Sequence, residues 1–235
     1  MIEYKKWRKM LISGMIFAFV TMILGEIPIG WVKYPETGNE LLDIIIGSGN
    51  LSVLQMASGA LFGGICIPLQ YYGFKAIADI ISKTEFKRCA KMTDIGAKAI
   101  AFGGGTVHVV CVTLMFVCKL EDTASITQIP QSVMDFALWL VLPFSVVFMI
   151  IYLPMTVAMA IPIIKGKTIF PKWAVVFNPL TGKVVLNAIA MVAPNTEFIN
   201  GIRMSNMGIG SLITFVGLWI LLEKNRRDQC KLFNF

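Results

Sequence analysis

The stretch FALWLVLPFSVVFMIIYLPMTVAMA at 136–160 runs for 25 residues without a charge. An apolar run of about 20 residues is long enough to cross the roughly 30 Å hydrocarbon core of a bilayer as a helix. A helix fits this environment because it satisfies its own backbone polar groups where no water is present. The stretch therefore predicts a membrane-spanning helix, and it decides the fold class of the chain.

Five further stretches share this composition. The chain has 235 residues, 56% hydrophobic and 15% charged, whereas soluble domains have roughly 45–50% and 25%. Of its 21 basic and 14 acidic side chains, only Glu26 and Lys183 fall inside the six stretches. We therefore predict an all-α, six-transmembrane-helix bundle that forms a single polytopic membrane domain, residues 1–235. The predicted spans are about 10–32, 51–73, 99–118, 136–160, 174–194 and 205–222.

The basic residues predict the orientation of this bundle. Short cytoplasmic loops retain Lys and Arg. Seventeen of them lie at the two chain ends and in the connections after the second and fourth spans, whereas the other connections hold only Lys33, Lys119 and Arg203. We expect both termini, and the basic connection 74–98, in the cytoplasm. The net charge of +7 then reflects this sorting rather than nucleic-acid binding.

The other chemical signals in the sequence are weak. None of the five cysteines falls in an expected external loop, and no Cys-x-x-Cys or Cys/His spacing is present, so we expect no disulfide framework and no metal site. No catalytic motif and no cofactor motif is found either. The expected partners are the lipid bilayer and a small-molecule ligand. The sequence gives no indication of the oligomeric state.

Ionisable residues inside the spans are the main functional signal, because each costs about 2.5–3.5 kcal/mol in lipid on insertion scales. Counting about 1.5 Å per residue from the expected cytoplasmic ends places His108 and Lys183 near the midplane and Glu26 about two turns higher. Asn187 follows Lys183 by one turn, and Gln55 has a depth similar to Glu26. We predict that these five residues line a polar pocket open to the external side.

Each ionisable residue also has a structural interpretation. Glu26 is compatible with a position at the outer headgroups. Lys183 is compatible with a side chain that extends to the cytoplasmic surface, or with a cap if its helix starts later, near Lys183. His108 is compatible with a hydrogen-bonded core histidine packed against Gly104. A Glu26–Lys183 pair would offset part of the cost of burial.

Small residues and prolines mark sites of helix packing or helix breaks. Spans two and three are expected to pack closely through Gly59-x-x-x-Gly63 and the run Gly103, Gly104 and Gly105. The run is also compatible with a break at a binding site. Prolines bend helices. The corresponding positions in spans four and five are Pro143, Pro154, Asn178 and Pro179.

Three functions are compatible with these features. The first is the binding or transport of a small polar or anionic molecule. The second is an intramembrane enzyme that acts on a lipid-like substrate with His108 as the acid/base. The third is a non-catalytic accessory protein whose polar residues hold the helices together.

Two segments carry a resemblance to a known family. They are GGGTVH at 103–108 and FPKWAVVFNPL at 170–180, and they resemble an uncharacterised family of small bacterial multi-pass membrane proteins of unknown function. The segments cover under a tenth of the chain. The resemblance implies a location in the bacterial cytoplasmic (inner) membrane and supplies no activity.

Overall fold

The computed structural model describes residues 2–232. The ends of the predicted domain, residue 1 and residues 233–235, lie outside the described residues. The described part is all-α and has no strand, which confirms the all-α prediction. Its eight helices are α1 (Glu3–Gly30), α2 (Glu40–Asn50), α3 (Val53–Ile81), α4 (Lys87–Leu120), α5 (Gln131–Ile164), α6 (Pro179–Val192), α7 (Glu197–Met204) and α8 (Asn206–Leu232).

Five of these helices, α1, α3, α4, α5 and α8, are long and apolar enough to cross a membrane. The remaining predicted span, span five at 174–194, contains the shorter helix α6, whose 14 residues extend about 21 Å. Asn178 explains the late start, because its side chain accepts a hydrogen bond from the Leu180 N–H and Pro179 takes the first helical position. The structure therefore has five long apolar helices among its described residues rather than six.

The chain nevertheless lies beside α8 along most of the length of α8. The residues that do so are those just before α6 and those of α6 itself. A short 3₁₀ helix, Lys172–Val176, precedes α6. Because α8 rises about 1.5 Å per residue, its positions 206–225 cover about 28 Å. The segment that lies beside α8 is thus α-helical only in its second half. The positions that meet are 169 with 225, 177 with 217, 182 with 210 and 187 with 206.

Ion pairs bring both ends of the chain to the same end of the bundle. Arg8 of α1 pairs with Glu223 of α8 at 2.8 Å, and Lys6 pairs with Asp79 of α3 at 2.8 Å. Residues 74–98 form the end of α3, a tight turn and the beginning of α4. We call this end of the bundle the basic end and the opposite end the far end.

A tightly packed apolar core fills the basic end. The rings of Phe74 and Phe215 meet edge to face with centroids 4.8 Å apart. The backbones of α1 and α3 touch beside them, where a Cβ on Gly14 would lie 2.6 Å from the Cα of Gly73. This packing closes the bundle at the basic end. The core also includes Trp7, Leu11, Ile77, Ile80, Ala97, Ile100, Tyr152, Met155, Met159, Leu218 and Leu222.

Four of the long helices contain a π-helical segment rather than a break. These segments widen the helix locally and occur often at functional sites. Two of them touch, because a Cβ on Gly25 of α1 would lie 3.0 Å from the backbone nitrogen of Gly63 of α3. The segments are Thr21–Glu26, Gly59–Gly63, Ile100–Gly104 and Ala137–Val141.

Helix α4 continues through the candidate break at Gly103, Gly104 and Gly105, whereas Pro179 is the first residue of α6. Gly104 and Gly105 pack on α3, and a Cβ on Gly105 would lie 2.4 Å from the Gly64 carbonyl oxygen. Gly103 has no atom within 4 Å of such a Cβ. Helix α5 runs through both Pro143 and Pro154.

Candidate functional site: a cavity within the helical bundle

A cavity of about 420 Å³ lies between the long helices and α6. Its walls are mainly Ile, Met, Phe and Val side chains. Its floor belongs to the packed core at the basic end, and its rim at the far end includes Arg203 and Asn206. Of the five residues proposed for a polar pocket, Glu26, His108 and Lys183 line the cavity and the other two do not. The floor residues are Phe74, Ile100 and Tyr152.

Glu26 is a buried carboxyl group, 7% exposed, at the end of the π segment of α1. Its Oε2 accepts a hydrogen bond of 3.2 Å from the Gly208 backbone N–H of α8. A Cβ at position 208 would lie 2.2 Å from Oε2, so any other residue there would displace the carboxyl group. Among the described residues, no Lys or Arg nitrogen lies within 4.0 Å of this carboxyl group. Glu26 therefore has one protein hydrogen-bond donor and no ionic partner among the described residues.

His108 is held by α3. Its Nε2 donates to the Gly59 carbonyl oxygen at 3.1 Å, so the neutral ring offers Nδ1 as an acceptor. The ring occupies the space above Gly63, where a Cβ would lie 2.1 Å from it. The packing partner is thus Gly63 rather than the expected Gly104, because Gly104 faces Ile67.

Lys183 lies closer to the level of Glu26 than the count along the sequence predicted. Glu26 contacts α8 at Gly208, and the Lys183 backbone approaches α8 at Gly210. Two residues correspond to about 3 Å along a helix, rather than two turns. The count began at residue 174, whereas the chain already lies beside α8 from Ile169. Lys183 forms no ion pair with Glu26 or any other acidic residue in the described part of the chain.

Gln55 and Asn187 support the site from outside the cavity. Gln55 completes the capping box of α3, and its Nε2 donates to the carbonyl oxygens of Pro28 at 3.0 Å and Trp31 at 3.1 Å. It therefore joins α3 to the far end of α1. Asn187 accepts a hydrogen bond of 2.9 Å from Asn206, which lines the cavity.

Among the polar cavity residues that were not predicted from the sequence are Tyr152 and Gln70. Tyr152, 3% exposed, has a hydroxyl group without a hydrogen-bond partner among the described residues. Gln70 is buried and donates to the Thr21 hydroxyl at 3.2 Å. A tyrosine inside the otherwise apolar stretch 136–160 was the available signal. A buried hydroxyl without a partner is costly, so Tyr152 offers a hydrogen bond to an occupant of the cavity.

Polar contacts hold the rim of the cavity at the far end. Arg203 of α7 pairs with Glu40 of α2 at 2.6 Å, so its charge is compensated. Asn200 donates to the Val32 carbonyl oxygen at 2.8 Å and ties α7 to the end of α1. Burial raises the pKa of the Tyr34 phenol, and the nearby Arg203 guanidinium lowers it in part. The rim is therefore ordered by contacts that leave Glu26 and Lys183 free.

The cavity adjoins the apolar outer surface of α5. Ser145 and Met149 line both the cavity and a groove on this surface. Helix α5 is the most exposed of the five long helices, so the cavity lies next to an exposed apolar surface on this side. As for metals, the described residues contain no group of three or more His, Cys, Asp or Glu side chains placed to hold an ion.

Comparisons with known proteins give a family and no function. No curated protein matches the chain, and no solved structure matches it. The model of one family of unknown function matches residues 1–225, which confirms the predicted resemblance to an uncharacterised family. Since the match covers nearly the entire sequence, the chain belongs to the family of unknown function DUF6796.

Proposed function

We propose that the protein binds a small polar molecule in this cavity, inside the membrane. One observation carries the proposal: the ionisable residues of the predicted spans, Glu26, His108 and Lys183, come from three different helices and line the same cavity. Ionisable groups in lipid are costly and commonly mark binding sites or ion pathways. Large, mostly apolar cavities with a few polar groups are typical ligand sites.

We further propose that the cavity opens toward the outside of the cell. The distribution of Lys and Arg supports cytoplasmic termini, and the ion pairs at the basic end place both termini there. On this topology residues 165–192 form a crossing in addition to the five long helices, and it is the fifth in chain order. The resemblance favours a bacterial inner membrane. The core at the basic end closes the path to the cytoplasm. The arrangement therefore supports capture of a molecule from the far end.

A co-purification experiment tests this proposal. The protein is purified in mild detergent, and its mass is measured by native mass spectrometry before and after collisional release of ligands. Cys111→Phe places a ring at the wall of the cavity, whereas Thr113→Phe places one on an exposed face of the same helix. We expect a small molecule bound to the wild-type protein and to Thr113→Phe, and a loss of at least about tenfold in occupancy for Cys111→Phe.

The milder variant Lys183→Met guards against misfolding of Cys111→Phe, because it removes a charge without adding bulk. It should also lower the occupancy. A ligand retained equally by all three variants would place the binding site elsewhere. A protein that is folded and carries no molecule in either detergent or lipid nanodiscs would favour the accessory function instead.

A further inference from the structure

We propose that the occupant of the cavity is a zwitterion, a molecule with a primary amino group, an acidic group and an apolar remainder. This inference rests on the proposed function, since it names the chemical class of the ligand. It follows from the charges that line the cavity and from their positions.

The cavity contains one unpaired acid and one unpaired base. Arg203 is compensated by Glu40, and His108 is held as a hydrogen-bonded ring by Gly59. Glu26 and Lys183 are left without ionic partners among the described residues. An anion would compensate Lys183 alone, and a cation would compensate Glu26 alone. A zwitterion compensates both, and buried charges are stable when they are paired.

The positions of the two residues fit one small molecule. The Glu26 carboxyl group contacts α8 at Gly208 and the Lys183 backbone contacts it at Gly210, so the carboxyl group and the Lys183 backbone lie at similar heights. Their charged groups are more than 4.0 Å apart, because they form no ion pair in the described structure. The Glu26 carboxyl group accepts only the Gly208 N–H, which leaves acceptor sites for an ammonium group. The Lys183 ammonium group is then available to an acidic group.

The remaining walls predict an apolar part for the ligand. The two charges lie near the far end, whereas the floor is formed by Phe74, Ile100 and Tyr152 of the packed core. The intervening walls are apolar, and they include Ile67, Val107, Met115, Phe148, Met149, Met204 and Met207. The ligand is therefore expected to place its charged groups at the far end and its apolar part toward the floor.

Two sources supply this chemistry. One is a free amino acid with an apolar side chain that enters from the far end. The other is the headgroup region of an aminophospholipid that enters from the bilayer past Ser145 and Met149, the residues shared with the groove on α5. Both carry an ammonium group and an anionic group a few bonds apart.

Matched probes test the class and distinguish the sources. For the free amino acid, the probes are leucine and two of its analogues. Isoamylamine is leucine without the carboxylate, and 4-methylpentanoate is leucine without the amino group. For the lipid arm, the probes are dihexanoyl-phosphatidylethanolamine and dihexanoyl-phosphatidic acid. The dissociation constant of each probe is measured by ligand-induced shift of the melting temperature of the purified wild-type protein. We expect leucine or the phosphatidylethanolamine to bind at least about tenfold more tightly than its counterparts that carry charge of only one sign.

The variants assign each charge to its partner. Glu26→Gln should weaken the binding of the zwitterion to the level of the acid probe, and Lys183→Met should weaken it to the level of the amine probe. In the lipid arm, Glu26→Gln should bring phosphatidylethanolamine to the level of phosphatidic acid. Thr113→Ala, an exposed position on α4 whose hydroxyl bonds its own helix, should bind like the wild-type protein.

Three outcomes overturn the inference. The first is a probe with charge of only one sign that binds as tightly as its zwitterion. The second is a zwitterion whose affinity is unchanged in both charge variants. The third is a protein that carries a co-purified molecule in the cavity but binds none of the probes. In the last case cavity binding stands and the ligand class is wrong. A protein with neither a co-purified molecule nor a bound probe contradicts the proposed function itself.

Discussion

At the scale of single residues, Gly63 controls the position of His108. A Cβ at this position would lie 2.1 Å from the imidazole ring, which bonds the Gly59 carbonyl oxygen. We predict that Gly63→Ala pushes the ring out and destabilises the protein by about 1–3 kcal/mol, the usual cost of overpacking. The melting temperature in detergent measures this effect.

Gly103→Ala is the matched control for Gly63→Ala, since both glycines lie in π segments and position 103 has open space around it. Alanine has the higher helix propensity, so Gly103→Ala should leave the melting temperature unchanged or raise it slightly. Equal effects of the two substitutions would show that His108 does not depend on Gly63.

The identity of the cavity residues was partly predictable from the sequence. Glu26, His108 and Lys183 stood out because charge is rare inside apolar spans, a signal that needs no knowledge of helix neighbours. Gln55 and Asn187 have the right depth, yet Gln55 caps α3 and Asn187 supports Asn206. Depth alone does not tell which face of a helix a side chain occupies.

At the scale of elements, Asn178 determines where α6 begins. Its Oδ1 accepts the Leu180 N–H and its Nδ2 donates to the Thr156 carbonyl oxygen at 2.9 Å. Asn178→Ser keeps a capping oxygen and loses the amide donor, whereas Asn178→Ala loses both. We therefore expect Asn178→Ala to be less stable than Asn178→Ser by about 1 kcal/mol in thermal unfolding. If the two variants melt together, the cap does not stabilise α6.

Hydropathy predicted the long helices and misplaced the start of α6. The spans around α1, α3, α4, α5 and α8 follow from uninterrupted apolar runs. The run at 174–194 has the same composition, but its Asn-Pro pair at 178–179 is an N-terminal helix signal. The pair does not reveal that the chain already lies beside α8 from Ile169 onward, and these residues before the cap bring Lys183 toward the level of Glu26.

At the scale of the whole molecule, the charge distribution predicts the topology. Gly38 lies in an exposed connection at the far end with a positive φ and open space around it, so it tolerates an insertion. In a bacterial host, we expect alkaline phosphatase inserted after Gly38 to be active and green fluorescent protein at the C-terminus to fluoresce. An inactive phosphatase at Gly38, with an active one at the C-terminus, would reverse the orientation and turn the cavity toward the cytoplasm.

The arrangement of the helices could not be predicted from composition, because apolar faces are equally compatible with many neighbours. The contacts that decide it are close backbone approaches, such as Gly14 with Gly73 and Gly182 with Gly210. The first contact packs the basic end, and the second holds α6 against α8 beside the cavity that Glu26, His108 and Lys183 line.

The most direct test of cavity binding is a cryo-electron microscopy map of the protein in lipid nanodiscs, with a rigid binder attached at the basic end to give sufficient size. We predict non-protein density in the cavity that contacts both Glu26 and Lys183. A map in which side chains fill the cavity and Glu26 pairs directly with Lys183 would contradict the account.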